Sequence, residues 1–325
     1  MDRPAVALIP CPEYAPDKVD AAVGRALDLL GGMARFVHPG QRVLIKPNLL
    51  LPSPPERAIV THPSVLRAVV GQVQAAGGVP FIADNPVVLP VSRRGWESAY
   101  ERAGWAAVAA ETGARLNTSV VPQQLPHPQG RLLRVLDISS FVAEADVVIS
   151  LPKLKSHNFM RFTGAVKNLF GVVPGTTKFG YHLKLQTAEQ FADMLLDLAS
   201  LVRPALTLMD GVLGMDGDGP SGGRPFSTGV ILAGTDPVAV DVAALAVVGH
   251  EALGVPTVAA ARRRGWLGGR LSDIDLLGEE LGRVRVGGFH LPPGRSSDVE
   301  RLPAALRPLA AGNRHHRAQQ WRRPL

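Results

Sequence analysis

The segment ADVVISLPKLKSHNF, residues 145–159, contains both the pattern that predicts the fold and the charges that predict a site. Its first half, Asp146–Leu151, is a short apolar run typical of a buried strand in a parallel sheet. The second half begins where this strand ends, and Lys153, Lys155 and His157 alternate in it with other side chains. Because alternate residues of an extended chain point to the same side, we expect these three side chains to share one face.

The surrounding sequence leaves this positive charge without acidic partners. No Asp or Glu occurs between Asp146 and Glu189. The same interval contains Lys153, Lys155, Arg161, Lys167, Lys178 and Lys184, together with His157 and His182. A second glycine–lysine turn, TGAVKN at 163–168, is expected to close the same pocket with Lys167 and Asn168, and its backbone N–H groups add donors for an oxyanion. Such a charge excess favours binding of an anion; the alternative is a solvated strand edge protected by lysines.

Apolar runs alternate with helical patterns along the rest of the chain, which predicts an α/β fold with a mostly parallel sheet flanked by helices. The expected strands are Ala5–Pro10, Val43–Ile45, Val79–Ala83, Leu132–Ile138, Asp146–Leu151, Leu206–Met209, Gly229–Ala233 and Ile274–Leu277. The expected helices are Asp17–Leu30, one from a Thr61 or His62 cap to Ala76, Gly95–Glu111, Thr187–Val202, and two that begin at Pro237 and Pro256. Long glycine- and lysine-rich loops follow the carboxyl ends of the strands.

Polar residues follow four of these strands, at the edge where ligands bind in open α/β sheets. They are Lys46 and Asn48, Asp84 and Asn85, Lys153 and Lys155, and Asp210. Lys46 comes directly after three branched apolar residues, and burial of that kind lowers a lysine pKa and makes the amine usable as a base. The alternative for Lys46 is an ordinary lysine whose head group reaches water. His157 and His182 are the histidines best placed for general acid–base work.

The acidic counterpart of the basic segment is DGVLGMDGDGPSGGRP, residues 210–225, which we interpret as a glycine-rich turn. Asp210, Asp216 and Asp218 are the candidate ligands of a divalent metal, because hard cations prefer carboxylates. Aspartates that cap a tight turn are the commoner use of such a segment. In a third interpretation these aspartates face the basic loop and set its pKa values.

Composition divides the chain into an α/β domain over 1–290 and a basic tail over 291–325. The formal net charge is +7, but the part from Arg295 onward holds seven Arg against two acids. We expect this tail to be poorly ordered; a contact with nucleic acid or acidic lipid is the alternative. Binding of nucleic acid by the basic loop is disfavoured, since the loop has few aromatics for stacking. The absence of an 18-residue apolar run and of a secretory signal predicts a cytoplasmic protein without membrane contact.

Four stretches make the sequence similar to the family catalogued as domain of unknown function 362. They are LIKPNLL with THPSVLRAVV, ISLPKLKSHNFMRFTGAVKNLFGVVPGTTK, MDGVLGMDGDGPSGGRP and GVILAGTDPVAVDVAALAVVG. The polar positions that the resemblance implies are Lys46, Asn48, Asp84, Lys153, Lys155, His157, Lys167, Asn168, Asp210 and Asp236, of which Asp236 also reads as a helix cap. Many relatives resemble redox proteins with ferredoxin-type cysteines. Because this chain has only Cys11, no iron–sulfur cluster is expected.

The leading hypothesis is an enzyme of biosynthesis that acts on a small metabolite bearing a carboxylate or phosphate, by proton transfer or elimination. Its catalytic candidates are Lys46, Lys155 and His157, and its substrate-binding candidates are Asn48, Asp84, Lys153, Lys167, Asn168 and His182. The first alternative is an oxidoreductase that uses an external electron donor or a diffusible cofactor. The second is a non-catalytic anion-binding module. The sequence leaves homo-oligomerisation open.

Overall fold

The computed structural model describes residues 3–86, 92–119 and 121–294, so the tail from 295 onward lies outside the described residues. The strands are β1 (Ala5–Pro10), β2 (Arg42–Pro47), β3 (Val79–Ile82), β4 (Arg115–Leu116), β5 (Pro122–Pro126), β6 (Val135–Ser139), β7 (Val147–Leu151), β8 (Lys153–His157), β9 (Arg161–Thr163), β10 (Leu206–Asp216), β11 (Arg224–Gly234) and β12 (Asp275–Gly278). The helices are α1 (Pro16–Leu29), α2 (Pro63–Ala75), α3 (Arg93–Arg102), α4 (Trp105–Thr112), α5 (Ala165–Asn168), α6 (Gly175–Lys184), α7 (Ala188–Val202), α8 (Pro237–Val247), α9 (Pro256–Arg263) and α10 (Leu281–Val284).

One large sheet organises the molecule, in the order β12-β1-β11-β10-β7-β2-β3-β4. The central pairs β10–β7, β7–β2 and β2–β3 are parallel, as are β3–β4 and β1–β12. Strand β11 runs antiparallel to both β1 and β10. This architecture confirms the predicted α/β class with a mostly parallel sheet. Strands β5 and β6 form a separate antiparallel hairpin.

Helices cover both faces of the sheet, so the central strand β2 packs against helices on each side. Its side chains alternate between two hydrophobic clusters, as the pleat of a strand requires. Val43 and Ile45 lie in the cluster that includes apolar residues of α1 and α2, whereas Leu44 lies in the cluster of α7. The strand is therefore buried on both faces, which explains its continuous apolar run.

The predicted helix over Gly95–Glu111 is wrong in extent, because the structure divides it into α3 and α4. Gly104 separates them with φ 76°, a left-handed conformation that glycine adopts without strain. A Cβ atom at this position would also lie 3.2 Å from Pro63 Cγ. The helix therefore breaks at Gly104, which the hydrophobic pattern had placed inside one continuous helix.

The segment 210–225 is a long hairpin and not the glycine-rich turn that the sequence suggests. Strand β10 continues through Asp216, and β11 returns from Arg224, so the turn itself is confined to residues 217–223. Glycines in this part of β10 permit close packing: a Cβ at Gly214 would lie 2.8 Å from Thr228 Oγ1. The hairpin carries Asp210 into the edge of the sheet where the candidate site lies.

Candidate functional site

The candidate site lies where the parallel strands β2, β3 and β7 end, beside Asp210 in the middle of β10. Strand β8 follows β7 directly and pairs with β10, with Asp210 opposite Lys153 in the register. This route keeps the chain inside the molecule, and all five residues of β8 are buried. The alternation predicted for Lys153 and Lys155 is thus present in a strand, but its lysines are enclosed by protein and do not protect an exposed edge.

Lys46 forms the first part of the site, together with Asp84 at the end of β3. The Lys46 Nζ lies 3.2 Å from Asp84 Oδ1, and both side chains are almost wholly buried. The same nitrogen donates to Asn168 Oδ1 at 3.3 Å. The other oxygen of Asp84 accepts from the backbone N–H of Leu49 at 2.7 Å. Burial lowers the pKa of Lys46, and the neighbouring Asp84 carboxylate opposes that shift.

Asn168 and Asn48 link Lys46 to Lys155. Asn48 Nδ2 donates to Asn168 Oδ1 at 3.2 Å, and Lys155 Nζ donates to Asn48 Oδ1 at 2.7 Å. Both donors of Asn168 are used inside this network, on Ser150 Oγ and on the Lys46 carbonyl. Asn168 therefore orients Lys46 and Asn48, and Asn48, which is half-buried, is the amide closer to solvent.

Lys155 differs from the other buried lysines in its partners. Its Nζ donates only to neutral acceptors, Asn48 Oδ1 and the Ile59 carbonyl at 2.8 Å, among the residues that the structure describes. Burial holds the pKa of Lys155 well below its usual value, and the positive charges of Lys167 and Lys153 lower it further. A lysine with such a low pKa is available as the neutral amine.

Lys153 belongs to a compact buried group with Asp210 and Tyr14. Its Nζ donates to Asp210 Oδ2 at 2.8 Å and to the Tyr14 hydroxyl at 2.6 Å. The Tyr14 hydroxyl in turn donates to Asp210 Oδ1 at 2.8 Å. The ring of Tyr14 stacks on His62, with the centroids 3.5 Å apart. Lys153 is thereby neutralised, and the predicted substrate contact would have to compete with this ion pair.

The network reaches the surface at four half-buried residues, Asn48, Lys167, Gly171 and Lys178. Lys178 Nζ donates to the Asn85 carbonyl at 2.5 Å. Gly171 is required by packing, because a Cβ there would clash with both Asp84 Oδ1 and Lys46 Nζ. A ligand that approaches the buried lysines meets these residues first.

The two candidate histidines have structural contacts. The Nδ1 atom of His157 accepts from the backbone N–H groups of Phe159 and Met160, at 3.1 Å each, which closes the turn after β8. The ring of His182 packs between Phe170 and Phe191, with centroid distances of 5.6 and 4.8 Å. These contacts explain both rings by local structure, so general acid–base roles for them remain predictions.

The structure does not bring the three aspartates of the predicted metal site together. Asp210 pairs with Lys153, and Asp216 pairs with Arg224 at 2.8 Å. Asp218 accepts from Asn158. Across residues 3–86, 92–119 and 121–294, no three His, Cys, Asp or Glu side chains are grouped as metal ligands. The sequence interpretation failed here because β10 holds Asp210 and Asp216 six residues apart, Asp218 lies in the turn after this strand, and a basic partner reaches Asp210 and Asp216.

Sequence reasoning missed Tyr14, Lys178, Gly171 and Ser150 as parts of the site. Tyr14 follows the carboxyl end of β1, so the rule that located Lys46 and Asp84 could have located it too. Lys178 lies in the interval between Asp146 and Glu189 that contains no Asp or Glu. It is far in sequence from the strand ends, so the pattern gave no reason to select it. Asp236 caps α8 as predicted, accepting from the N–H groups of Val238 and Ala239.

Comparison with known proteins shows the family. Residues 43–246 match the model of a domain of unknown function, DUF362, and this stretch contains the buried lysines Lys46, Lys153 and Lys155 with Asp84 and Asp210, but not Tyr14. The protein belongs to this family. A thylakoid-associated protein, sll1697 of Synechocystis sp., is 35% identical over 275 residues, which cover 80% of this chain and 79% of that protein.

Solved structures resemble the chain more distantly. The lactate racemase apoprotein of Thermoanaerobacterium thermosaccharolyticum has a TM-score of 0.44 at 14% identity, and the match covers 72% of this chain but 54% of that one. A Thermotoga maritima protein has a TM-score of 0.40 at 10% identity, covering 70% and 57% of the two chains. The matches thus span little more than half of either solved chain. Among the described residues, no helix has the length and apolarity needed to span a membrane.

Proposed function

We propose that this protein is an enzyme that transfers a proton on a small anionic metabolite, with Lys155 as the base. The observation that carries this proposal is the contrast in ion pairing among three buried lysines. Lys46 and Lys153 each contact a carboxylate, whereas the described partners of Lys155 are only an amide oxygen and a backbone carbonyl. A buried lysine that contacts no carboxylate is the arrangement that favours a neutral amine at ordinary pH.

In the proposed step, the lone pair of Lys155 Nζ takes a proton from a carbon next to a carboxylate or carbonyl. The C–H electron pair remains on the substrate as a carbanion whose charge spreads to that oxygen. The new ammonium is held by the acceptors already in place, Asn48 Oδ1 and the Ile59 carbonyl. The positive charges of Lys46 and Lys167 favour the negative charge that develops in the transition state. Return of the proton gives an isomer, and loss of a neighbouring group gives an elimination.

Proton exchange tests the proposal even though the product is unidentified. The protein is incubated in D₂O with a panel of small 2-hydroxy, 2-oxo and phosphorylated acids, and loss of each C–H signal is followed by NMR. We expect one compound or class to exchange, and Lys155→Met to lower its exchange rate about 10²–10⁴-fold, the usual contribution of a general base. Lys18→Met makes the same chemical change at an exposed site and should leave the rate unchanged.

The pH profile supplies a second criterion. Because the base must be neutral, the exchange rate should rise with pH through a pKa below the ordinary lysine value and then level off. An unchanged exchange rate in Lys155→Met would refute the proposed role. Saturable binding of a compound without any exchange would favour a non-catalytic anion-binding module.

A further inference from the structure

The rim of the site contains two lysines that share one aromatic ring. Lys167 Nζ lies 5.8 Å and Lys178 Nζ 6.0 Å from the centroid of the Phe170 ring. Lys167 belongs to α5 and Lys178 to α6, so two separate helices direct lysine side chains to the same ring. These contacts hold both amines beside the same ring, and each is a cation–π contact when its amine is charged.

The charges that face Lys178 are unbalanced. Asp84 is the acidic group near it, but that carboxylate already contacts Lys46. Lys46 and Lys167 face Lys178 as like charges. Its direct hydrogen bond goes to a neutral acceptor, the Asn85 carbonyl. Burial is the largest cause that lowers the pKa of Lys178, and together with the charges of Lys46 and Lys167 it brings this pKa to about 7. An incoming anion would raise this pKa again, because its negative charge offsets the two like charges.

We propose that Lys167, Lys178 and Phe170 form an anion clamp for a doubly charged phosphate-like group of the ligand, and that a proton enters Lys178 when this group binds. The clamp deepens the proposed function and rests on it, since the clamp would present the rest of the ligand to Lys155. Two ammonium groups match the charge of a dianion, whereas a single carboxylate matches only one of them. Phosphate and sulfate also offer oxygens in several directions, so one group can reach donors on two helices.

Sulfate and methanesulfonate are the probes, because they have similar shapes and differ by one charge. Neither titrates between pH 6 and 8, so any proton taken up on binding enters the protein. Calorimetry at pH 8 in two buffers with different ionisation enthalpies gives both the dissociation constant and the proton uptake. We expect sulfate to bind about tenfold more tightly than methanesulfonate, the gain of one charge-assisted hydrogen bond, with nearly one proton taken up per sulfate.

Two variants at one position separate charge from protonation. Lys178→Arg keeps a permanent positive charge, so it should retain sulfate binding and lose the proton uptake. Lys178→Met should lose the uptake and weaken sulfate binding about tenfold. Lys18→Met, at the exposed site in α1, should change neither quantity.

Equal affinity for the two probes, absence of sulfate binding, or binding without proton uptake would each overturn the clamp. These failures are distinguishable from failure of the proposed function. Lys155→Met should still bind sulfate, because it leaves the rim intact. Sulfate binding with proton uptake, in a protein whose C–H exchange does not depend on Lys155, would support the clamp and refute the base.

Discussion

Lys153 and Lys155 lie two residues apart on one strand, and both are buried, yet their surroundings are opposite. Lys153 contacts Asp210 and the Tyr14 hydroxyl, which form a closed group of one cation, one anion and one neutral bridge. Lys155 donates to neutral oxygens alone within the described part of the chain, and it faces the positive charges of Lys167 and Lys153. Burial lowers the pKa of both lysines; Asp210 opposes that shift at Lys153, whereas neighbouring positive charges add to it at Lys155.

This difference distinguishes the ion-paired Lys153 from Lys155, the base of the proposed function. A buried ion pair is costly to break, because removing one partner leaves the other charge without compensation. A buried lysine without a carboxylate already lacks that compensation, so its removal exposes no opposite charge. Stability measurements on the two positions should therefore differ in a predictable direction.

The largest expected effect is on folding stability at Lys153. Lys153→Met leaves the Asp210 carboxylate buried without its cation and should lower the free energy of unfolding by about 3–5 kcal/mol. Lys155→Met should lower it by less than about 2 kcal/mol, the cost of two neutral acceptors that lose a donor. Denaturant titration of both variants measures the difference. The double variant Lys153→Met with Asp210→Asn should recover part of the loss, and equal losses at the two lysines would contradict the contrast.

Burial without an opposite charge should also disfavour a negative group, and Asp241 in α8 tests this. Its buried carboxylate accepts from the N–H groups of Ala165 and Val166 at 2.6 and 3.2 Å, and burial raises its pKa to about 7. Between the ordinary pKa and about 7, the folded state binds more protons than the unfolded state, so stability from this group is present at low pH and lost as the pH rises.

We expect Asp241 to contribute a loss of a few kcal/mol in the free energy of unfolding between about pH 4 and pH 8. Asp241→Asn cannot ionise, so the difference between the wild-type and variant curves isolates this contribution. Urea titrations across the pH range measure it. Parallel curves for the two proteins would show that Asp241 does not titrate in this interval.

Packing around the Lys46–Asp84 pair should show the next largest effect. Gly171→Ala places a methyl group against both charged groups and should destabilise the protein by about 1–3 kcal/mol, because neither buried side chain has space to retreat. Gly71→Ala, in the exposed middle of α2 with no atom within 4 Å of the added Cβ, should be neutral or stabilising by up to about 1 kcal/mol. Thermal unfolding of the two variants provides the comparison, and a stable Gly171→Ala variant would mean that the pair can rearrange.

The smallest expected loss of stability is at the Tyr14 hydroxyl, which lies between Lys153 and Asp210. Tyr14→Phe removes the hydroxyl between Lys153 and Asp210 but leaves their direct contact of 2.8 Å, so it should cost about 1–2 kcal/mol. Tyr100→Phe removes a buried hydrogen bond to the Asn117 carbonyl, which involves no charge, and should cost about 1 kcal/mol. If Tyr14→Phe lowered the free energy of unfolding as much as Lys153→Met, the hydroxyl and not the Asp210 carboxylate would be the main partner of Lys153.

The sequence predicted where the polar residues of the candidate site gather, but not which side chains pair with one another. Lys46, Asp84 and Asp210 were selected because polar residues follow buried strands, and the parallel sheet does place them at one edge. His157 and His182 were selected by composition of the segment, and the structure shows them in a turn and an aromatic cluster. Alternation of side chains predicted that Lys153 and Lys155 share a face, but it carries no information about their partners.

Local patterns in the chain were enough to establish the α/β class, the edge of the sheet where polar groups gather and the family of the protein. These properties depend on hydrophobic periodicity and on short motifs, which span few residues. The pairing of each lysine is a property of the folded chain, since the partner of Lys153 is 57 residues away and that of Lys46 in the amide network is 122 residues away. Burial and charge compensation act through space, so the chemistry of a lysine is set by neighbours that the fold brings to it from elsewhere in the sequence.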